Sequence, residues 1–135
     1  LDRGVLVVAL GGGGIPVVRR GPRLVGVDAV IDKDRASALL ATRIQVELFI
    51  ILTDVDRVYL DYRQPTERPL ERVTVDELEH HRRAGQFPDG SMGPKIEAAV
   101  EFLEAAGDGA RVTITDLEHV AAAIDGSAGT TIYRD

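Results

Sequence analysis

Three short runs of apolar, largely β-branched residues are spaced along the chain and separated by segments of helical periodicity. The runs are VLVVAL at residues 5–10, LFIILT at residues 48–53 and ARVTI at residues 110–114. Continuous apolar runs of this length are typical of strands that are buried on both faces of a parallel sheet. Strands that alternate with helices predict an α/β fold with a mainly parallel sheet and helices on both faces. Ligands in such folds bind beyond the carboxyl ends of the strands, so we expect a site in the loops that follow the runs.

Further β and helical segments lie between these runs. IPVVRRGPRLVGV, residues 15–27, predicts a β-hairpin whose turn lies near Gly21 and Pro22, because both residue types are common in turns. RVYLDY at residues 57–62 and GTTIY at residues 129–133 predict shorter strands. DKDRASALLATRIQVE predicts a helix with one apolar face. That face is formed by Ala36, Leu39, Leu40 and Ile44.

Two later helices have clear start signals. Thr74 with Glu77, and Thr115 with Glu118, match the capping box. In this motif each side chain satisfies a backbone N–H group that has no partner within the helix. We expect these helices to run to about the next glycines along the chain.

Lysines lie at the entrances of two other helices. Pro94 predicts the first helical position, because its missing N–H group would have no partner there. Lys95 then lies at the positive end of the helix dipole, where a cation costs about 0.3–1 kcal/mol. Lys33, between Asp32 and Asp34, repeats the pattern. The pair predicts an anion site, since helix N-termini and lysines both bind phosphate. A capping aspartate beside a solvated lysine is the alternative at Lys33.

Four glycines, residues 11–14, follow the first apolar run directly. Restraining so many glycines is costly, so we interpret them as a close backbone approach to a ligand, with a tight turn as the alternative. They do not form a dinucleotide-binding fingerprint, because Pro16 intervenes before any helix, and GSMGPK lacks the P-loop spacing. The three histidines are His80, His81 and His119. The first two are adjacent on their helix and point in different directions, and the third stands alone, so no metal site is predicted.

Size, charge and composition restrict the class of protein. A chain of 135 residues suits one domain with a hydrophobic core. The net charge of −6 argues against a nucleic-acid-binding surface, and no apolar run approaches the ~20 residues of a membrane helix. The absence of cysteine fits a cytoplasmic location. Because the chain starts at Leu1 and its only methionine is Met92, we expect it to be part of a longer protein.

Five stretches together resemble the carbamate kinases of the amino acid kinase superfamily. They are GGGGIPV, AVIDKDRASALLA, LTDVDRVYLDY, FPDGSMGPKIEAAVEFLE and ITDLEHVAAAIDGSAGTTI, in the family's order. They cover almost all of this chain, but only the C-terminal half of the family's protein. The resemblance implies an αβα sandwich with a mainly parallel sheet. Residues 1–135 would form a single nucleotide-binding half, without the N-terminal carbamate-binding half.

The resemblance also implies a reaction and its site. Family members transfer a phosphoryl group reversibly between ATP and carbamate, giving ADP and carbamoyl phosphate, with Mg²⁺. By similarity, Lys33, Asp34 and Lys95 are the catalytic residues: the two lysines contact the phosphates, and Asp34 orients both lysines. The glycine loop, with Gly12 and Gly13, borders the transferring group. The residues implied to line the nucleotide pocket are Lys33, Thr53, Asp54, Tyr59, Met92, Gly93, Pro94 and Lys95.

Partners follow from the same resemblance. Carbamate or carbamoyl phosphate is the expected substrate, the N-terminal half is the expected partner, and a homodimer is expected. No nucleic acid or membrane partner is expected, and the isolated chain should be inactive. Two alternatives stay open: a non-catalytic nucleotide-binding or interaction module, and a related amino acid kinase with another acceptor. GGGGIPV and DKD favour carbamate over other acceptors.

Overall fold

The computed structural model describes residues 4–135. Over this range the chain forms eight strands and four helices, which confirms the predicted α/β class. In chain order they are β1 (Val17–Arg20), β2 (Arg23–Gly26), α1 (Lys33–Arg43), β3 (Leu48–Leu52), β4 (Val58–Leu60), β5 (Arg68–Leu70), β6 (Arg72–Thr74), α2 (Val75–Arg83), α3 (Met92–Ala105), β7 (Arg111–Thr115), α4 (Val120–Ile124) and β8 (Thr130–Tyr133). Within the described range, no helix combines the length and apolar character that crossing a membrane requires.

The main sheet has four strands in the order β3–β7–β8–β6. β3 runs parallel to β7, with Ile51 opposite Ile114, and β6 runs parallel to β8, with Val73 opposite Ile132. β7 and β8 are antiparallel. The sheet is therefore mostly parallel, as predicted. The antiparallel contact between β7 and β8, the predicted GTTIY strand, joins the two parallel pairs.

The core is formed by the main sheet and the helices packed on it. Phe102 of α3 contacts Phe49 of β3, with ring centroids 5.4 Å apart, a separation that aromatic pairs prefer. α3 also packs along α1, whose buried residues, Ala38 and Ala41, are small. The largest fully buried side chains are Leu78, Ile96, Phe102, Leu103, Ile114 and Ile132. This packing fixes α1 and α3 beside each other on the sheet.

A small antiparallel hairpin, β4–β5, is attached to the main sheet through a buried threonine. The Thr130 hydroxyl in β8 accepts the Val58 N–H at 2.9 Å and donates to the Leu70 carbonyl. Because these bonds reach both strands of the hairpin, β8 determines where the hairpin lies. Val58 and Leu60 are buried, so the alternation of side chains along β4 turns Tyr59 the other way.

Helices α1 and α2 begin at capping side chains. The Asp32 carboxylate accepts the N–H groups of Asp34 and Arg35, each at 2.9 Å. Thr74 and Glu77 form the predicted capping box. In both helices the cap satisfies N–H groups that the first turn leaves without partners. The capping part of the alternative at Lys33 is therefore correct, since Asp32 caps α1, but Lys33 itself is hydrogen-bonded to Asp34.

Residues 5–10, predicted as a buried strand, form no strand in the structure. Val5, Leu6, Val7 and Val8 are all exposed. The run has the composition of a parallel strand, but such a strand is buried only when neighbours cover it. Among the described residues, no strand pairs with it. The prediction was wrong because it was made from composition, whereas burial depends on pairing.

β3 is also less buried than its sequence predicts. Ile51 is buried, but Phe49 and Ile50 are only partly covered and Leu52 is exposed. The reason is topological, since β3 is an edge strand of the main sheet. The strand itself was predicted correctly, and its full burial was not.

The predicted apolar face of α1 does not face the core. Leu39 and Ile44 are exposed, while Ala36 and Leu40 are intermediate. The buried side of the helix carries alanines instead. The helical periodicity was read correctly, but the larger apolar side chains lie on the outer side of this helix.

The predicted capping box at Thr115 is absent. α4 begins later, at Val120, and the Thr115 hydroxyl donates to the Asp56 carbonyl at 3.1 Å. Asp116 instead accepts the His119 N–H at 2.8 Å. The motif failed because the last residue of a buried strand had a different hydrogen-bond partner within reach.

α3 begins two residues earlier than predicted, at Met92, so Pro94 is its third residue and not its first. A proline is tolerated there as well, because the first four N–H groups of a helix have no partner within it. Lys95 remains in the first turn.

Candidate functional site

The candidate site lies at the carboxyl-terminal edge of the parallel strands. The chain leaves β3 at Thr53, whose N–H donates to the Thr115 carbonyl at the end of β7, at 2.8 Å. α1 precedes β3 and α3 precedes β7. Each helix runs back along the sheet before its strand, so both helices begin at this same edge.

Three charged side chains meet where α1 and α3 begin. The Asp34 Oδ2 atom lies 3.1 Å from Lys33 Nζ and 3.0 Å from Lys95 Nζ. Lys33 Nζ also lies 3.2 Å from Asp34 Oδ1. These are the only two lysines in the sequence. The structure therefore brings together the three residues that were predicted as catalytic.

The two ammonium groups differ in their access to solvent. The side chains of Lys95 and Asp34 are 13% exposed, whereas that of Lys33 is 59% exposed. The hydrogen bond to Asp34 raises the pKa of Lys33 and so favours its charged form. Asp34 lies between the two cations, and Asp32, which caps α1, adds a second carboxylate on the Lys33 side. The first turn of α3 carries no acidic residue, so Lys95 and this helix N-terminus form the end of the site that favours binding of an anion.

The start of α3 is built differently from the starts of α1 and α2. Its N-cap residue, Ser91, makes no side-chain capping bond, and the first turn contains no acidic residue. The Gly93 N–H donates to the Pro88 carbonyl at 2.9 Å. A Cβ on Gly93 would lie 2.9 Å from that same oxygen, so glycine is required for this tight turn. The first turn of α3 thus carries Lys95 without a compensating acid of its own.

A cleft of about 360 Å³ opens beside the start of α3. Four residues predicted to contact a nucleotide line it: Thr53, Asp54, Tyr59 and Met92. The predicted residues Gly93, Pro94 and Lys95 follow Met92 directly in α3. The chain therefore leads from the cleft to Lys95 within one helical turn.

Tyr59 is held in place at the wall of the cleft. Its hydroxyl donates to Asp56 Oδ1 at 2.8 Å, and this hydrogen bond raises the pKa of Tyr59. Its ring lies 6.0 Å from that of Tyr62, centroid to centroid, in a tilted arrangement. At the neighbouring strand end, the Thr53 hydroxyl donates to Asp54 Oδ1 at 3.1 Å.

Several lining residues were missed by the sequence analysis, Tyr62 among them. The only local signal for Tyr62 is that it is a second aromatic residue, three positions after Tyr59. No local signal marks Gln86 or Phe87, since they reach the cleft from the loop between α2 and α3. The missed lining residues are Val55, Arg57, Tyr62, Arg63, Gln86, Phe87, Pro88 and Ser91.

The glycine loop lies at the entrance of α1, and the residues that line the cleft do not include it. Gly13 is buried with φ of 125°, and a Cβ there would overlap the Ile31 carbonyl oxygen. The close backbone approach expected of the glycines is therefore, at Gly13, an approach to the chain itself. Gly12 is exposed. Because Ile31 directly precedes the capping Asp32, the loop is held next to the first turn of α1.

The described residues 4–135 contain no group of three or more carboxylate or histidine side chains that could hold a metal ion. Both oxygens of Asp34 already accept hydrogen bonds from ammonium groups. Mg²⁺ usually binds one or two carboxylates together with substrate phosphates and water. The residues present do not form a Mg²⁺ site by themselves.

Known proteins resemble this chain over nearly its whole length. Residues 1–116 match the model of the amino acid kinase family. The carbamate kinase of Thermoplasma volcanium is 50% identical over 129 residues, and carbamate kinase 3 of Staphylococcus aureus is 51% identical over 132 residues. These alignments cover 96% and 98% of this chain but 42% of each relative. The chain thus spans less than half the length of the curated relatives that it matches.

A solved structure agrees with these alignments. The carbamate kinase of Giardia lamblia bound to AMP-PNP superposes on this chain with a TM-score of 0.93 at 43% identity. The match covers 99% of this chain and 46% of that protein.

Proposed function

The chain belongs to the amino acid kinase family, and on that premise we propose that it is the nucleotide-binding half of a carbamate kinase. The proposed reaction is the reversible conversion of ATP and carbamate to ADP and carbamoyl phosphate. Support comes from carbamate kinases that are about half identical over nearly the whole chain. In the complete protein, the sheet and helices described above would form one half of an αβα sandwich.

The observation that carries the proposal is the contact of both lysines with Asp34 at two helix N-termini. Phosphoryl transfer needs little covalent help from a protein and depends on positioning and on stabilisation of charge. Lys33 and Lys95 would bind the oxygens of the transferring phosphoryl group. Asp34 would hold the two cations at a fixed spacing, so that the site needs no rearrangement when charge develops.

The chemical step requires no covalent bond to the protein. A carbamate oxygen attacks the γ-phosphorus of ATP, and the bond from that phosphorus to the bridging oxygen of ADP breaks. Negative charge moves onto ADP, which the lysines and the start of α3 would stabilise. Gly12 and Gly13, held at the entrance of α1, would border the transferring group. The reverse reaction uses the same contacts.

The cleft would hold the base and ribose of the nucleotide, with Thr53, Asp54, Tyr59 and Met92 as lining residues. Gly93 and Pro94 would lead the binding surface from Met92 to the phosphates. The Giardia relative, which is bound to AMP-PNP, an ATP analogue, supports nucleotide binding by a protein of this fold. Mg²⁺ would enter with the phosphates, because the described residues offer no ligand set of their own.

The acceptor side of the reaction would lie outside these residues. We propose that carbamate binds to an N-terminal half of the same protein, in a cytoplasmic homodimer. The isolated chain would then bind nucleotide but would not turn over carbamoyl phosphate. The presence of the acceptor half, not the nucleotide site, would decide between a kinase and a binding module.

The test is nucleotide binding by calorimetry on the chain and on Lys95→Ala. We expect about tenfold weaker ATP binding, because a hydrogen bond to a charged group is lost. Arg35→Ala is the matched control: it removes a first-turn cation that pairs with Glu101 of α3, at 2.6 Å, and not with Asp34. Equal ATP affinity in the wild type and Lys95→Ala would contradict the proposal.

A further inference from the structure

The loop that carries Tyr62 is joined to the loop between α2 and α3 by a reciprocal pair of hydrogen bonds. Gln86 Oε1 accepts the Asp61 N–H at 2.7 Å, and Gln86 Nε2 donates to Asp61 Oδ1 at 2.9 Å. Gln86 belongs to the loop after α2, and Asp61 follows β4. Gln86 and its neighbour Phe87 line the cleft themselves. The two bonds therefore join two loops that both contribute residues to the cleft.

The loop that carries Tyr62 is strained and tightly bonded. Asp61 and Arg63, on either side of Tyr62, have φ of 51° and 62°, in the left-handed region that side-chain-bearing residues rarely adopt. The Asp61 carbonyl accepts the Gln64 N–H at 2.8 Å, and the Glu67 carboxylate accepts the Arg63 N–H at 2.6 Å. Strain of this kind persists only where the surroundings fix the backbone, and it concentrates at ligand sites.

The hydrogen bonds between Gln86 and Asp61 are well suited to holding the loop that carries Tyr62 in place. The carboxylate of Asp61 makes the bond from Gln86 charge-assisted, and such bonds are stronger than neutral ones. Hydrogen bonds from Gln86 and Thr66 lower the pKa of Asp61, so the carboxylate stays charged in neutral solution. A side-chain amide is well matched to a neighbour that offers one N–H donor and one carboxylate acceptor.

We propose that Gln86 is a positioning residue that holds the Tyr59–Tyr62 wall of the cleft in place for the base of the nucleotide. This inference rests on the proposed function and adds a residue with no role in phosphate binding. Without the pair, the loop at residues 61–67 relaxes, and the nucleotide must order it on binding, which lowers affinity. The effect is confined to ligands that carry a base.

The experiment uses one disruptive and one restoring variant. Gln86→Glu removes the donor and places a carboxylate against that of Asp61. Adding Asp61→Asn restores the side-chain bond in the reverse direction, because the introduced amide donates its N–H to the introduced carboxylate. The backbone N–H of residue 61 donates to residue 86 in both variants, as it does in the wild type. Asparagine also tolerates the left-handed backbone. Gln64→Glu is the control, since it makes the same chemical change at an exposed position on the same loop.

Calorimetry measures binding of ATP and of inorganic tripolyphosphate, which reaches the lysines but has no base. We expect Gln86→Glu to bind ATP about tenfold more weakly and tripolyphosphate within about twofold of the wild type. The double variant regains ATP affinity, and Gln64→Glu keeps it. Unchanged ATP affinity in Gln86→Glu overturns the inference, as does equal weakening of both ligands without recovery in the double variant. If the wild-type chain binds no ATP, the proposed function fails and the inference fails with it.

Discussion

Residues 4–31 and the core around β7, β8 and α3 contain similar apolar side chains but differ in burial. Val112 and Ile114 of β7 are fully buried, whereas Val17 and Val18 of β1 are exposed. β7 has a strand on each side, while β1 and β2 pair only with each other among the described strands. An isolated two-stranded hairpin is marginally stable in water. The difference shows that apolar strand residues stabilise this chain only where neighbouring elements cover them.

The candidate site lies between these two regions. Gly13 and Ile31 belong to the exposed segment and position the entrance of α1. Lys95 belongs to the packed helix α3. The unequal exposure of Lys33 and Lys95 follows from this location, because one lysine adjoins the open region and the other the core.

The largest expected contrast is between two isoleucines. Ile114→Ala removes a side chain with no exposed surface and should lower the free energy of unfolding by about 2–5 kcal/mol. Ile15→Ala makes the same change at a side chain that is 85% exposed and should stay within about 0.5 kcal/mol. Urea unfolding of both variants measures the difference. A similar loss in Ile15→Ala would mean that the N-terminal segment is covered in solution.

A smaller contrast is expected between two glycines with positive φ. Gly129 has φ of 81°, and a Cβ there would lie 2.8 Å from Thr113 Cγ2 and 2.9 Å from the Ile114 carbonyl oxygen. Gly129→Ala should therefore combine backbone strain with overpacking, a loss of about 2–4 kcal/mol. Gly21 has φ of 58° with open space around it, so Gly21→Ala should show the strain alone, about 1 kcal/mol. Thermal unfolding compares the stability of the two variants. Equal losses of stability would show that the core around residue 129 rearranges to accommodate the added methyl group.

The smallest contrast concerns protonation of two histidines. The hydrogen bond to Asp116 raises the pKa of His119, while partial burial lowers the pKa of His81. His119 therefore contributes stability below the ordinary histidine pKa of 6.5, and loses it as pH rises through its raised value. His81 acts in the opposite sense, because its charging opposes folding as pH falls below 6.5.

NMR titration of the two rings measures both shifts. In Asp116→Asn the His119 midpoint should fall towards 6.5 while that of His81 stays unchanged. Identical midpoints in the wild type would contradict the contrast. The exposed His119 is expected to hold its proton more tightly than the partly buried His81, because the carboxylate partner raises the pKa of the first and burial lowers the pKa of the second.

Local signals predicted local structure well. The capping pair Thr74 and Glu77, and the turn at Gly21 and Pro22, depend on residues within a few positions of each other, and both predictions are confirmed. Burial was predicted poorly at residues 5–10 and in α1, because it depends on partners distant in sequence. The box at Thr115 failed for the same reason, since its hydroxyl bonds Asp56, which lies 59 positions away.

The candidate site shows the same division. A lysine in the first turn of a helix is locally unfavourable, and that cost made Lys33 and Lys95 visible in the sequence. Gln86 gave no such signal, because its contact with Asp61 spans 25 residues and neither residue is unusual in its own segment. The sequence could predict groups that conflict with their local surroundings, but not groups whose partner is brought near only by folding.

The attachment of the β4–β5 hairpin to Thr130 has a consequence for synthesis of the chain. Thr130 is separated from Leu70 by 60 positions and from Val58 by 72. The protein emerges from the ribosome N-terminus first. The β4–β5 hairpin, which carries Tyr59, therefore cannot dock on the main sheet until β8 has been synthesised. The lysines, their aspartate and the elements that hold them, α1, β3, α3 and β7, are all translated by residue 115. The anion-binding end of the site can thus mature on the nascent chain before the base-binding end exists.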